Sequence, residues 1–226
     1  MGSLTPSDDR TLLVLGSGPG IGRSIAGLFA ARRYGKVVLI ARRAEQLRVE
    51  KEALERAAVD VTDTEALLAA LDDADALFGK PEAVFFNAAR VLPSAFFEHP
   101  VEDIEYDLKT NVSALYNVAQ RYVPHLVALG GSGPSSRPAL IVTSSALPHH
   151  PIPQLFALSL VKAAQRNLVQ SLHLSYAPQG VHIGVVNVGG PVSPDHELWN
   201  PTNIAEKAWG WFEGVEPKGQ SFEVVI

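Results

Sequence analysis

The chain has 226 residues, no cysteine, 46% hydrophobic residues and a formal net charge of -5 at pH 7. That length accommodates one large α/β domain with a sizeable core. The missing cysteine excludes disulfides and thiolate metal centres, and an acidic balance without any basic tract argues against a nucleic-acid partner. No apolar run approaches the roughly 20 residues that cross a bilayer, so no membrane partner is expected. Without a recognisable secretion signal the expected compartment is the cytoplasm.

In chain order, Leu12-Leu13-Val14-Leu15 ends in a glycine cluster and passes into an apolar-periodic segment, the pattern of a buried strand, a tight turn and a helix. Glycines let backbone approach a pyrophosphate closely, and the first amides of the following helix offer N–H groups and the positive end of a dipole. Gly16, Ser17, Gly18, Gly20, Ile21 and Gly22 are therefore candidate phosphate-binding residues. Lys36 to Ala41 reads as a second buried strand, and Glu45 to Ala57 as a helix with a solvated charged face. A third strand is expected around Ala57-Ala58-Val59-Asp60-Val61. The preceding helix enters it with almost no loop, which implies a deleted connection or missing residues.

Thr62 with Glu65 predicts a capping box for the next helix. Ala83-Val84-Phe85-Phe86-Asn87 is a fourth strand, and ligands in parallel sheets lie beyond the carboxyl ends of strands, where Asn87 stands. Val101 to Leu129 predicts a long helix with Asn111 in its interior, an unfavourable place for asparagine on propensity alone. Ala139 to Ser145 is a fifth strand that delivers hydroxyls at its end, followed by a proline-framed loop bearing His149 and His150. Gln154 to Tyr176 is helical, Val181 to Asn187 is a sixth strand, Asn203 with Glu206 caps a further helix, and Ser221 to Ile226 closes as a strand. The alternation predicts a Rossmann-like, doubly wound parallel sheet of about seven strands with helices on both faces, one domain over residues 1–226. The remaining histidines show no metal-ligand spacing, and no metal is expected.

Seven landmarks in order resemble the short-chain dehydrogenase/reductase (SDR) family over essentially the full length. Gly16, Gly20 and Gly22 are similar to its Gly-x-x-x-Gly-x-Gly turn, Asp60-Val61 to its adenine-ring contact, and Phe86-Asn87-Ala88-Ala89 to its Asn-Asn-Ala-Gly segment. Asn111 falls at the family's catalytic asparagine, Ser144-Ser145 on its catalytic-serine strand, and Lys162 at the end of its Tyr-x-x-x-Lys motif. Val186-Asn187-Val188-Gly189 resembles its Asn-Pro-Gly turn. The resemblance implies an NAD(P)-binding fold, cofactor contacts at Asn87, Ala88, Lys162 and Val188, and catalytic roles for Asn111, Ser145 and Lys162. It also implies a small-molecule substrate, and a homodimer or homotetramer built on the helices after the fourth and fifth strands.

Two departures sharpen the expectation. An acidic residue at the end of the second strand would bind the adenosine ribose and repel a 2′-phosphate, but Ala41 stands there, with Arg42 and Arg43 after it. Guanidinium groups suit a phosphate by charge and by paired donors, so the expected cofactor is NADP(H). Leu158 occupies the position of the family's acidic tyrosine, four residues before Lys162. A positioned acid contributes about 10²–10⁴-fold to carbonyl reduction. The resulting expectation is an atypical NADP(H)-dependent oxidoreductase acting on a carbonyl or an imine or iminium, with His149 as a candidate replacement acid. A non-redox pocket for cyclisation or isomerisation, and an inactive NADP-binding subunit, are the alternatives.

Overall fold

Alternate residues of the first strand face opposite helical layers, as the two-residue period of a strand requires. In the computed structural model of the protein, which describes residues 7–42, 54–133, 135–214 and 221–226, this strand is β1 (Ser7–Leu15). Leu12 and Val14 pack toward α1 (Ile21–Arg32) and α6 (Pro201–Glu213), in a core that includes Phe29, Ile204, Trp209 and Phe212. Leu13 and Leu15 pack on the other side, toward α2 (Thr64–Phe78), α4 (Ala114–Gly130) and α5 (Phe156–Tyr176), with Leu67, Leu71, Leu115, Tyr122 and Val169.

The remaining strands are β2 (Tyr34–Ala41), β3 (Leu54–Ala58), β4 (Ala83–Phe86), β5 (Ala139–Ser145), β6 (His182–Val188) and β7 (Glu223–Val225). They form one seven-stranded sheet in the order β3-β2-β1-β4-β5-β6-β7. Every pairing is parallel. The fold is thus the Rossmann-like doubly wound sheet expected from the alternation of elements. Its chain order reverses between β1 and β4, which opens a crevice beyond their carboxyl ends, the position where such sheets bind ligands.

The structure corrects several local expectations. Residues 54–57, expected to end a helix, lie in β3 and pair in register with β2 from Val37↔Leu54 to Ala41↔Ala58. An unfilled sheet edge outweighs the helical propensity of Leu, Glu, Arg and Ala. The strand thereby moves three residues toward the N-terminus, and Asp60 and Val61 lie beyond it. Residues 45–53 of the expected helix lie outside the described residues. Asp63, not Thr62, caps α2 by accepting from Ala66 N at 3.0 Å, because Thr62 turns back to donate to Asp60 Oδ1 at 2.8 Å. Asn200, not Asn203, caps α6, because Pro201 lacks an N–H and its fixed φ suits the first helical position.

The long helix expected over residues 101–129 is present but not uniform. It runs as α3 (Val101–Leu108), a π-helical turn (Lys109–Ser113) and α4. Asn111 lies inside the π turn and is fully buried. Such turns widen the backbone ladder and are frequent at functional sites.

Candidate active site

The crevice is lined by the glycine turn and the ends of β2 and β4, including Gly16, Gly18, Ala41, Arg42, Asn87 and Ala88, with Val61 and Thr110. Gly16 has φ +83°, and a Cβ there would stand 2.4 Å from Ala88 N. A Cβ at Gly22 would meet Gly16 O at 2.5 Å, so this glycine lets α1 close onto the turn. Gly18 and Gly20 differ, because a Cβ on either would meet nothing within 4 Å. These two expose backbone to open space at the start of α1, whose Gly20 N-cap is bound by no side chain. The amides of Gly16 and Ser17 are bound to Ile40 O and that of Gly18 to Gly16 O, so the turn offers uncovered backbone and a positive helix end, which suits a pyrophosphate.

At the β2 end, Ala41 is buried and the exposed Arg42 reaches Tyr106 Oη at 3.3 Å. Tyr106 in turn donates to Asp60 Oδ2 at 2.8 Å, while Asp60 Oδ1 accepts from Thr62 N and Thr62 Oγ1. Partial burial alone would raise the Asp60 pKa. The Thr62 and Tyr106 hydrogen bonds and the Arg42 charge outweigh it and hold the carboxyl below its usual range. Arg43 lies outside the described residues. Asn87, expected to face a cofactor, stands at the crevice, donates through Nδ2 to Gly16 O at 2.9 Å and accepts from Thr143 Oγ1 at 2.7 Å. Its side chain braces the glycine turn against β5, and Asn87 lines the crevice together with Ala88 and Ala89.

At the β5–β6 end, register pairs Ser145 with Val188 and Ser144 with Asn187. Ser145 Oγ accepts from Leu147 N at 3.3 Å. Lys162 is buried and donates to Thr143 O at 3.0 Å and to Gln165 Oε1 at 2.8 Å. Its burial lowers the ammonium pKa to about 8. Asn111 donates through Nδ2 to Asp107 O, and its own backbone carbonyl accepts from Gln165 Nε2 at 2.9 Å. Asn111 and Lys162 are thus brought together through a residue that sequence reasoning missed. The signal was available, since Gln165 lies three positions after Lys162 on one helix face.

Leu158 is 6% exposed and packs with Leu147 and Val161, flanked by Leu108 and Leu155. The position expected to hold an acid is therefore embedded in an apolar cluster. His149 and His150 are exposed on the turn after β5, and among the described residues neither ring is hydrogen-bonded to Asn111, Ser145 or Lys162. Ser17 Oγ, Asn111 Oδ1, Ser144 Oγ and Asn187 Oδ1 are buried without a hydrogen-bond partner. Orphaned polar atoms are uncommon in native interiors, and these four lie in the glycine turn, at the ends of β5 and β6 and in the π turn. The open Gly18 and the Arg42 guanidinium at the crevice form a surface that fits a dinucleotide.

Residues 10–201 match the family model of the short chain dehydrogenases. The chain belongs to the short-chain dehydrogenase family. Glucose 1-dehydrogenase of Gluconobacter oxydans (strain 621H) is 25% identical over 223 residues, 95% of this SDR chain and 82% of that protein. A short-chain dehydrogenase of Streptomyces avermitilis superposes with a TM-score of 0.84 at 20% identity, covering 98% of this chain and 88% of that one. The NADPH-bound short chain oxidoreductase of Pseudomonas aeruginosa PAO1, which contains an atypical catalytic center, superposes with a TM-score of 0.80 at 20% identity, covering 98% and 96%. Among the described residues of this SDR protein no helix is long and apolar enough to cross a membrane.

Proposed function

We propose that this SDR chain is an NADP(H)-dependent oxidoreductase, with residues 1–226 working as one dinucleotide-binding domain, and that it acts on a small carbonyl or, more readily, an imine or iminium. The observation that carries the cofactor reading is the end of β2, where Ala41 offers no carboxylate and Arg42 stands at the crevice beside Tyr106. A 2′-phosphate meets a guanidinium there and no competing anion from β2. Arg43 belongs to the same proposal. The NADPH bound by the Pseudomonas aeruginosa oxidoreductase on a similar fold is consistent with it.

Bound NADPH supplies a hydride. The chain's own residues divide the remaining work. Gly20, Ile21 and Gly22 at the helix start would hold the pyrophosphate through backbone groups over the bed made by Gly16, Ser17 and Gly18, while Val61 and Ala88 would wall the adenine side. Lys162 turns its remaining N–H toward a ribose hydroxyl, Val188 borders the reacting ring, and Ser145 donates one hydrogen bond to the substrate. Asn111 fixes the helix behind them. Leu158 can neither orient a carbonyl nor donate a proton, so an alkoxide forming in this site lacks the acid that ordinary relatives provide. Reduction of an iminium gives a neutral amine directly and needs no such acid. The absence of an acid at Leu158, and not its apolar surroundings, which penalise a cation, is why a C=N substrate suits the site better than a ketone.

His149 is the proposed donor for any carbonyl chemistry, from its exposed turn after β5. A second reading, in which the scaffold binds NADP(H) for non-redox work or as an inactive subunit, is favoured by the same apolar packing of Leu158. The proposal includes pairing into a homodimer or homotetramer through α4 and α5, where Tyr116, Leu160 and Leu174 are exposed. NADPH oxidation measured against a panel of ketones and cyclic iminium ions tests the main reading. Turnover of iminium ions with little ketone reduction is expected. Ketone turnover at rates ordinary for the family would overturn the role given to Leu158, and tight NADPH binding with no turnover of either class would favour the second reading.

A further inference from the structure

A buried polar chain crosses the interior between β5, α5 and the π turn. Lys162 Nζ donates to Thr143 O at 3.0 Å and to Gln165 Oε1 at 2.8 Å, and Gln165 Nε2 donates to Asn111 O at 2.9 Å. Gln165 is 1% exposed and Asn111 0%, so the link is made without bulk solvent. The orientation of the amide follows from chemistry. An ammonium can only donate and a backbone carbonyl can only accept, so Gln165 must turn its oxygen to Lys162 and its nitrogen to Asn111.

Thr143 O and Gln165 Oε1 take two of the three Lys162 donors, which leaves one N–H for a ligand. Among the described residues no carboxylate lies within ion-pair distance of Lys162, and the Asp107 carboxylate next to Asn111 on α3 is held by Arg90 at 2.8 Å. The neutral Gln165 amide is therefore the side-chain acceptor that supports a buried cation. A water molecule in this place could accept a proton from one neighbour and pass one to the other. A side-chain amide with both groups committed does not.

We infer that Gln165 is a positioning residue, which sets Lys162 in register with Asn111 through a direct amide bridge and closes the solvent route between them. The bridge joins α5 to the π turn, where the helix ladder is widened, and it limits Lys162 to holding a ligand with its single spare N–H. A proton consumed in the site then has to arrive by another path.

The test uses Gln165→Leu, which keeps volume without polar atoms, Gln165→Glu, which keeps shape and adds charge, and Gln165→Ala, which opens space. Lys162 is titrated by NMR in the unloaded protein with ¹³C-labelled lysine, and NADPH affinity is measured alongside. Relative to wild type, Gln165→Glu raises the Lys162 midpoint by about one unit or more and Gln165→Leu lowers it. Gln165→Leu also weakens NADPH binding by about tenfold, and Gln165→Glu restores it to within a few-fold. A crystal structure of Gln165→Ala shows water between Lys162 Nζ and Asn111 O, and that of wild type shows none.

If Gln165→Leu does not fold, the opposite-signed shift in Gln165→Glu and the crystallographic comparison still decide. Unmoved titration of Lys162 in every folded variant, or a water bridging Lys162 and Asn111 in wild type, overturns the inference. Failure of the wild-type protein to bind NADPH overturns the cofactor reading instead, because the titration in the unloaded protein does not depend on it.

Discussion

Tyr106 on α3 donates its hydroxyl to Asp60 Oδ2 at 2.8 Å and so ties the helix before the π turn to the loop that follows β3. Removing it in Tyr106→Phe leaves Asp60 with the Thr62 donors and takes away the Arg42 contact. The expected loss is about 1 kcal/mol of stability at neutral pH. The folded Asp60 carboxyl lies below its ordinary value of 3.8, so its contribution is complete above that value and disappears as pH falls through the folded value. Urea unfolding of wild type and variant should therefore differ at pH 7 and converge in acid. A difference that persists unchanged after Asp60 has taken up its proton in the folded protein would show that the hydroxyl acts by packing alone.

Cofactor preference should turn on the end of β2. Ala41→Asp places a carboxylate where the structure has a buried methyl, and Arg42→Ala removes the exposed guanidinium. Each is expected to weaken NADPH binding by about tenfold or more, the equivalent of one charge-assisted hydrogen bond, and Ala41→Asp should strengthen NADH binding. Fluorescence titration with both nucleotides is the check, and an unchanged NADPH to NADH ratio in both variants refutes the assignment.

The glycines of the turn should separate folding from binding. Gly16→Ala puts a Cβ against Ala88 N at 2.4 Å on a backbone with φ +83°. It should cost about 3 kcal/mol or more of stability. Gly18→Ala meets open space, so the fold should tolerate it while nucleotide affinity falls. Thermal melts paired with NADPH titration distinguish the two. Equal loss of stability in both variants would count against the division of labour.

Leu158→Tyr tests the missing acid. Its four-residue spacing from Lys162 directs a phenol toward the site, at a packing cost of about 1–3 kcal/mol in the Leu147–Val161 cluster. Ketone reduction with NADPH should rise at least about tenfold, within a ceiling of about 10²–10⁴-fold for a positioned acid. A folded variant that binds NADPH and gains nothing would make the absence of tyrosine irrelevant to substrate choice.

The parallel sheet, its helices and the crevice were legible from residues near in sequence. The run Leu12 to Gly22 and the hydroxyl-ended strand Ala139 to Ser145 carry their own periodicity and turn chemistry, and both stand where the pattern predicted. Residues 54–57 misled because their helical propensity is local, whereas the β2 edge they fill is supplied from elsewhere in the chain. The bracing bonds of Asn87 were hidden for a related reason. Its place at a strand end is a sequence property, but its partners Gly16 and Thr143 lie 71 and 56 residues away.

The sequence by itself determined the dinucleotide fold, the glycine spacing, and the identities Ala41 and Arg42 after the second strand and Leu158 four residues before Lys162, because each depends on residue identity at a fixed spacing. Only the tertiary structure decided what surrounds those residues. It widened the helix into a π turn at Asn111, buried Leu158 among leucines, turned Asn87 into a brace and brought Gln165 between Lys162 and Asn111. Burial and hydrogen-bond partnership are properties of groups that meet across elements, and a one-dimensional pattern carries the groups but not their meeting.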